Sequence, residues 1–250
     1  MTNIAIITGG SRGLGKNMVQ HVAKGGTDVI FTYQSRDAEA QALVAELQAS
    51  GRRAAALPLD VSRADTSDHF VAQVQGVLTG WGAEHFQFLV NNAGIGIHAS
   101  FEQTTPEQMD LLYAIHVKGP FFLTQKLLPL MSDGGRILNV STGLTRFALP
   151  GYAAYASMKG AVETLTMYLA LELGARRISV NVLAPGAIET DFGGGMVRDN
   201  GQVNAAIASH TALGRVGLPD DIGGVVAALL SPGTGWIHAQ RIEASGGQNL

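Results

Sequence analysis

A glycine-rich turn near the start of the chain limits the possible folds more than any other feature. Residues 8–15 read T-G-G-S-R-G-L-G, with an apolar run over 4–7 before them and a helical pattern over 14–24 after them. Glycines in a strand-to-helix turn let the backbone approach a pyrophosphate closely, and the following helix presents its positive end to the anion. The turn therefore predicts a dinucleotide site in an open parallel sheet, and it argues against an eight-stranded α/β barrel.

The rest of the chain continues the alternation of strands and helices. Short apolar runs predict strands over 4–7, 28–32, 86–90, 136–140 and 178–182, with weaker candidates over 54–59 and 240–243. Helical patterns lie between them, over 14–24, 38–49, 66–78, 106–131, 152–174 and 219–230. Neither a repeat nor a long linker interrupts this alternation. We therefore predict an α/β fold with a single domain over 1–250.

Composition and charge exclude several classes of function. The formal charge is −3 (17 Lys and Arg against 20 Asp and Glu), which predicts no binding to nucleic acid or to an anionic membrane. Without cysteine, thiolate catalysis and cysteine-ligated metals are excluded, and the seven histidines show no paired metal-ligand spacing. The N-terminus lacks the pattern of a secretory signal, and the apolar run over 225–230 is too short to span a membrane. We expect a cytoplasmic protein without a metal site.

Tyr155 and Lys159 form the pattern Y-x-x-x-K, which places both side chains on one face of the helix predicted over 152–174. An ammonium group beside a phenol stabilises the phenolate, and so lowers the tyrosine pKa from its ordinary value near 10. Such a tyrosine can give a proton to a carbonyl oxygen or take one from an alcohol. Taken alone, the pair could equally be a structural tyrosine and a surface lysine. Tyr152 has Ala156 in the corresponding position, and therefore no lysine partner.

Five elements, spread over most of the chain, occur together in one order. They are T-G-x-x-x-G-x-G over 8–15, Leu59-Asp60-Val61 after the third strand, N-N-A-G over 91–94, Y-x-x-x-K over 155–159, and Pro185-Gly186 followed by Thr190. In this combination the chain resembles the short-chain dehydrogenase/reductase family. The resemblance implies a Rossmann-like doubly wound parallel sheet of about seven strands in the order 3-2-1-4-5-6-7. It also implies hydride transfer between a nicotinamide cofactor and a small carbonyl or alcohol, and a homo-oligomer, commonly a tetramer.

The resemblance carries the family's cofactor contacts onto residues from several turns. These are Thr8, Gly9, Ser11, Arg12, Gly13, Leu14, Gly15, Tyr33, Arg36, Asp60, Val61, Asn91, Ala93, Gly94, Tyr155, Lys159, Pro185, Gly186, Ile188 and Thr190. Of these, Asn91, Ala93 and Gly94 should border the adenosine ribose and the nicotinamide, and Ile188 with Thr190 the carboxamide.

The resemblance also implies the catalytic roles. Tyr155 is expected to act as general acid and base, and Lys159 to lower its pKa and bind the ribose. A serine hydroxyl holds the substrate oxygen in the family, 13 residues before the tyrosine. Here that position is Thr142, although a shift of one residue would assign the role to Ser141.

A larger departure from the family lies at His116, where the family carries an asparagine whose backbone carbonyl helps to hold a water near the lysine. Histidine keeps that carbonyl. Its ring could also bring a titratable group near Lys159, or it could be a packing substitution without a chemical role.

The end of the second strand bears on the choice of cofactor. An NAD-specific site carries an acidic residue there, whereas residues 32–36 read T-Y-Q-S-R. Two cations, Arg12 and Arg36, suit a 2′-phosphate, so NADP(H) is favoured over NAD(H). Alternatively, Arg36 is a solvated loop residue and Asp37 belongs to the first turn of the next helix.

Mostly apolar and aromatic residues are expected around the substrate, which favours a hydrophobic carbonyl compound. They are His98, Phe101, Leu144, Phe147, Tyr152, Phe192 and Met196. The glycine-rich stretch over 193–201 is interpreted as a mobile loop that either closes over substrate or is a plain surface loop. Because Thr142 and His116 depart from the family pattern, an alternative is a cofactor-binding regulatory or weakly active protein. A third option is an isomerase or lyase on the same scaffold.

Overall fold

One seven-stranded parallel sheet, with helices on both faces, forms the centre of the molecule. The computed structural model describes residues 2–250, apart from the side chain of Ala64. The strands are β1 (Ile4–Ile7), β2 (Asp28–Tyr33), β3 (Ala54–Pro58), β4 (Phe86–Asn91), β5 (Met131–Val140), β6 (Ser179–Pro185) and β7 (Arg241–Ala244). They are ordered β3-β2-β1-β4-β5-β6-β7, and every pairing is parallel. The predicted fold class, strand number and strand order are confirmed, including both weaker strands.

The helices cover the sheet in two layers. They are α1 (Gly13–Lys24), α2 (Asp37–Ala49), α3 (Ser67–Gly80), α4 (Pro106–Tyr113), α5 (Gly119–Leu127), α6 (Ala153–Leu173), α7 (Met196–Asp199), α8 (Gly201–Ser209) and α9 (Pro219–Leu229). Alternate residues of β1 point to opposite faces. Ala5 and Ile7 belong to the core under α1, α2 and α9, while Ile4 and Ile6 belong to the core under α3, α5 and α6.

The helix predicted over 106–131 is wrong as a single element. A π-helical turn over Ala114–Lys118 separates α4 from α5, and Met131 already belongs to β5. Pro120 explains the interruption, because it has no N–H and its ring would clash with the carbonyl four residues earlier. In the wider turn, the N–H of Gly119 bonds to the carbonyl of Ala114 instead.

The segment after β6 also differs from the interpretation as a loop over 193–201. It holds a short 3₁₀ turn over Phe192–Gly195, followed by α7 and α8. The side chain of Asn200 begins α8 by accepting hydrogen bonds from the N–H groups of Gln202 and Val203. Asn200 was therefore the overlooked sign of a helix.

The topology fixes where a site can form. The strand order reverses between β1 and β4, so the turns after these two strands diverge and leave a crevice at the carboxyl edge of the sheet. Among residues 2–250, no helix combines the length and the apolar character needed to cross a bilayer. The same residues bring no three His, Asp or Glu side chains together in an arrangement that could hold a metal ion.

Candidate active site

A cavity of about 380 Å³ lies in the crevice at the carboxyl edge of the sheet. All four predicted catalytic residues line it: Thr142, Tyr155, Lys159 and His116. Most of the predicted cofactor residues also line it, namely Gly9, Ser11, Arg12, Gly13, Leu14, Gly15, Tyr33, Asp60, Val61, Ala93, Gly94, Pro185, Gly186, Ile188 and Thr190. Residues far apart in the sequence therefore meet around one cavity.

The glycine-rich turn forms one wall and has the shape of an anion cradle. Gly9 has a φ of 67°, in the left-handed region that favours glycine. At Gly15, a β-carbon would overlap the carbonyl oxygen of Gly9, so a side chain cannot be accommodated there. The turn is tied to β2, because Thr32 Oγ1 accepts from the N–H of Gly9 at 2.9 Å. Since α1 begins at Gly13, its free N–H groups face the cavity, as a dinucleotide pyrophosphate requires.

Thr8 and Asn91 do not line the cavity and instead hold its walls in place. Thr8 Oγ1 accepts hydrogen bonds from the N–H groups of Asn92 and Ala93, both at 3.0 Å, and so ties the end of β1 to the end of β4. Asn91 is buried, and its side-chain amide donates to Asn139 Oδ1 at 2.8 Å. Asn92, its neighbour, lines the cavity and was missed.

The two arginines expected near the 2′-position are arranged differently. Arg12 lines the cavity, and its guanidinium lies 3.6 Å from the Asp191 carboxylate. Arg36 lies outside the cavity and donates to Glu39 at 2.9 Å. The alternative that placed Asp37 in the first turn of the next helix agrees with the structure, and the nearby Asp37 carboxylate raises the pKa of the Tyr33 phenol.

Polar bonds fix helix α6 against the end of β5. Lys159 Nζ donates to the carbonyl of Val140 at 2.8 Å, and both Lys159 and Tyr155 are buried. Deeper in the core, Asn139 donates to Thr166 Oγ1 at 2.9 Å. The lysine nitrogen lies 5.8 Å from the centre of the Tyr155 ring, so the helical spacing brings the two groups together as predicted.

The pKa of Tyr155 differs from the sequence-based expectation. Burial raises the pKa of the phenol well above its ordinary value, and the nearby Thr142 hydroxyl opposes this only in part. Burial also lowers the pKa of Lys159 to about 8. Removing a phenol from water disfavours its charged form. Without a cofactor, this effect of burial on the Tyr155 pKa is larger than the opposing effect of the Lys159 ammonium, which was expected to dominate.

Thr142 has a free hydroxyl proton beside Tyr155, whereas Ser141 is already engaged. Thr142 Oγ1 accepts from the N–H of Leu144 at 3.3 Å, which leaves its own proton available to a ligand. Ser141 Oγ donates to Glu163 Oε1 at 2.6 Å. The local geometry therefore favours Thr142 over Ser141 as the substrate-facing hydroxyl.

His116 lies in the π-helical turn and is almost completely buried. Its ring meets the Tyr155 ring edge to face, with centroids 5.3 Å apart. Nε2 lies 2.8 Å from the carbonyl oxygen of Ile95, which can only accept, so Nε2 carries the proton. Nδ1 is then a bare acceptor, and it finds no hydrogen-bond partner within the described part of the chain. Space for the ring comes from Gly94, where a β-carbon would lie 2.7 Å from His116 Cε1.

Burial, and then the charge of Lys159, lower the pKa of His116 to about 3. The ring is therefore uncharged near neutral pH in the folded protein. In the unfolded chain the same ring titrates near 6.5. Because the folded pKa lies below the unfolded one, the stability that His116 contributes is complete above pH 6.5 and is lost as the pH falls toward 3.

We expect His116→Asn to reduce the acid sensitivity of the fold. When the pH is lowered from 7 to 5, His116 becomes protonated in the unfolded state only, which should lower the free energy of unfolding of the parent protein by about 2 kcal/mol. The variant lacks this histidine and should not show that loss. Urea unfolding at the two pH values measures the difference. His85→Asn is the matched control, because His85 is exposed. An equal loss in His116→Asn and in the parent protein would contradict the low pKa.

The substrate side of the cavity is only partly as expected. Leu144, Phe147, Tyr152 and Phe192 line it. His98, Phe101 and Met196 do not, and Phe101 and Met196 are largely exposed. The lining residues that were missed include Leu149, Val197, Ile207 and Gln248. Ile207 belongs to the overlooked helix α8, which explains why no local signal identified it.

Known proteins resemble the chain over nearly its whole length. The family model described as enoyl-(acyl carrier protein) reductase matches residues 9–249. The tetrahydroxynaphthalene reductase PfmaG of Pestalotiopsis fici is 33% identical, over 98% of this chain and 90% of that protein. The promiscuous reductase LugOII, which catalyses keto-reduction at C1 in lugdunomycin biosynthesis, is 36% identical with a TM-score of 0.93, covering 99% and 98% of the two chains.

A further solved structure contains the cofactor. The angucycline C-6 ketoreductase LanV, with bound NADP, is 33% identical with a TM-score of 0.93, covering 99% of this chain and 95% of that one. The similarity thus extends over both the sequence and the fold. The chain belongs to the short-chain dehydrogenase/reductase family and is an NAD(P)-dependent enzyme that acts on C=O or CH–OH groups.

Proposed function

We propose that the protein interconverts an apolar ketone and its secondary alcohol with NADP(H), and that Tyr155 moves the proton. One observation carries the proposal. The buried Tyr155, Lys159 and the free Thr142 hydroxyl converge in one cavity with the glycine-rich cradle. When bound, a nicotinamide cofactor supplies the hydride, and the protein supplies position and proton.

In reduction, Tyr155 donates its phenolic proton to the carbonyl oxygen as negative charge develops there. A raised pKa keeps the phenol protonated at neutral pH, as a proton donor requires. A phenol remains a stronger acid than the product alcohol, so the transfer is favourable. Thr142 donates a second hydrogen bond to the same oxygen, which orients it and stabilises its charge.

The hydrogen bond from Lys159 Nζ to the Val140 carbonyl fixes the position of the ammonium group, which has two roles. Its two other N–H groups can bind the cofactor's ribose hydroxyls. Its positive charge stabilises the tyrosinate left after proton transfer, and its pKa of about 8 lets it return a proton near neutral pH.

His116 acts as a neutral positioning group rather than as an acid or base. With Nε2 fixed on Ile95, the Nδ1 lone pair is available to a water or hydroxyl in the cavity. The ring also supports the Tyr155 phenol from the side.

Arg12 is the cation that favours NADP(H), because it lines the cavity at the glycine-rich turn. We expect Arg12→Gln to weaken NADPH binding about tenfold and to change NADH binding little, since a charge-assisted bond to a 2′-phosphate would be lost. Arg36→Gln is the matched comparison and should have a smaller effect, because Arg36 pairs with Glu39 outside the cavity. Fluorescence titration with both cofactors measures the four affinities. Unchanged NADPH binding in Arg12→Gln would contradict this assignment.

The aromatic lining favours a flat hydrophobic ketone. Phe192 lies 5.8 Å from the Tyr155 ring, centroid to centroid, and Phe147 and Tyr152 complete an apolar wall. The relative PfmaG is named for a bicyclic aromatic substrate, which agrees with this wall. The three glycines over 193–195, all with positive φ, are the proposed hinges of a lid that carries Phe192.

We also propose a homo-oligomer, and a tetramer from the family resemblance. Helix α6 leaves the apolar side chains of Met167, Tyr168 and Leu171 exposed on the side away from the cavity. A second chain covering this face would remove them from water.

A panel of ketones, aldehydes and sugars with NADPH tests the proposed reaction. We expect absorbance loss with aromatic and other apolar ketones, and slow or undetectable loss with sugars. Tight NADPH binding without oxidation across the panel would favour a regulatory protein instead. Conversion of a compound without net NADPH consumption would indicate an isomerase or lyase.

A further inference from the structure

A group of charged and hydroxyl side chains lies behind the catalytic residues; its charged members do not line the cavity, whereas Ser141 does. At its centre are Glu163 on α6 and Arg241 on β7, which form an ion pair with Arg241 Nε 3.1 Å from Glu163 Oε1. Both side chains are largely buried, with exposed fractions of 21% and 26%. The reaction proposed above uses neither residue.

Glu163 binds the segment on either side of Thr142. Its Oε1 accepts from Ser141 Oγ at 2.6 Å and from Thr145 Oγ1 at 2.7 Å. A carboxylate can only accept, so the Ser141 proton points to it, while the Thr145 hydroxyl also lies 3.0 Å from the carbonyl oxygen of Thr142 and can donate to either acceptor. Glu163 lies one helical turn beyond Lys159 and two beyond Tyr155, so one face of α6 carries all three side chains.

Arg241 completes the enclosure of Thr142. Its Nη2 donates to the backbone carbonyl of Thr142 at 3.1 Å, and its Nη1 donates to Glu243 at 2.9 Å. Glu243 in turn accepts two bonds from Arg146, at 2.7 and 2.8 Å. The charges alternate from Glu163 to Arg146, so the Arg241 guanidinium is held between two carboxylates.

These bonds surround the backbone of Thr142 but leave its hydroxyl free. Glu163 fixes Ser141, immediately before Thr142, and Thr145, three residues after it, and Arg241 fixes the Thr142 carbonyl. The orientation of the hydroxyl toward Tyr155 is therefore set from behind the cavity. A shift of about 1 Å in a group that must meet a reacting atom can cost about 100-fold in rate.

We propose that Glu163 and Arg241 are positioning residues that fix Thr142 for hydrogen bonding to the substrate oxygen. The inference rests on the role proposed for Thr142. It assigns a rate effect to an ion pair that touches neither substrate nor cofactor.

Glu163→Gln tests the proposal, because it keeps the side-chain volume and removes the charge that orients Arg241. We expect kcat for ketone reduction to fall about tenfold, with the KM for NADPH unchanged, since the glycine-rich turn is not involved. Arg241→Lys should give a similar loss, because an ammonium cannot reproduce the fork that bonds to Glu163, Thr142 and Glu243 together. Full activity in either folded variant would overturn the proposal. The matched control is Glu172→Gln, an exposed glutamate on the same helix that should keep the parent rate.

A double-mutant cycle with Thr142→Ala separates positioning from general support of the fold. If Glu163 acts through Thr142, adding Glu163→Gln to Thr142→Ala should reduce kcat by no more than about twofold. A further tenfold loss would overturn the proposal and leave the role of Thr142 intact. An undiminished rate in Thr142→Ala alone would instead refute the role of Thr142 in the proposed function. Thermal melting of every variant, with assays well below each Tm, ensures that folded protein is compared.

Discussion

Replacing Tyr155 with Phe is expected to lower kcat for ketone reduction by about 10³-fold, the range found when a general acid is removed. The variant deletes one oxygen and keeps the ring, so its packing against His116 and Phe192 should persist. Stopped-flow or steady-state oxidation of NADPH with a good substrate measures the change. Cofactor affinity should stay within about threefold of the parent value, because Lys159 and the glycine-rich turn are intact.

Tyr152→Phe is the matched control for this prediction. Tyr152 lies 6.4 Å from Tyr155, ring to ring, and lines the same cavity, but it has no lysine one helical turn away. We expect it to affect KM more than kcat, since its hydroxyl can contact substrate without donating the proton. Tyr155→Phe with the parent kcat would refute the proposed chemistry while leaving the family assignment unaffected.

Gly15→Ala is expected to weaken NADPH binding about 100-fold, the upper end of the cost of overpacking. The added methyl group would overlap the carbonyl oxygen of Gly9 and lie 2.7 Å from Asn92 Nδ2. The turn can relieve this overlap only by moving away from the position that receives a pyrophosphate. Isothermal titration with NADPH measures the loss.

The control for the added methyl group is Gly76→Ala in α3. Gly76 is exposed, and a β-carbon there meets nothing within 4 Å. Alanine in place of glycine inside a helix should stabilise the fold by about 0.5–1 kcal/mol, with cofactor binding unchanged. If Gly15→Ala bound NADPH as tightly as the parent and Gly76→Ala do, the glycine-rich turn would not be the pyrophosphate site.

The sequence predicted the sheet well because strand signals in a parallel α/β fold are local. Runs such as 4–7 and 29–31 are apolar on both faces, and that pattern is visible without knowing the neighbours. The break between α4 and α5 was missed because the helical pattern continues through it. Pro120 was the available sign, since a proline inside a helix removes a hydrogen bond.

Parts of the candidate site that depend on the spacing of residues within one helix could be predicted from the sequence. Parts that depend on contacts between distant segments could not. The pairing of Tyr155 with Lys159 needs one helical turn, and the structure contains it. Whether Arg36 faces the cavity depends on its competition with Glu39, which spacing does not reveal. Likewise, the role proposed for Glu163 depends on its ion pair with Arg241, which lies on a strand distant in the sequence. The Tyr155 pKa depended on burial, a property of the packed chain.

The buried polar contacts of the core show which parts of the fold are constrained and which can vary in sequence. Asn91, Asn139 and Thr166 bond in sequence from β4 through β5 to α6, beneath the catalytic side chains. A helix that packs on purely apolar strands can slide or rotate at a small cost in free energy. Here, any movement of α6 along the sheet would leave buried side-chain amides without hydrogen-bond partners. These buried hydrogen bonds thus fix the position of the Tyr155 hydroxyl relative to the sheet. The segment over 192–210 takes no part in that alignment, so it is free to diverge in length and composition and admit new carbonyl compounds while the reactive hydroxyl stays in place.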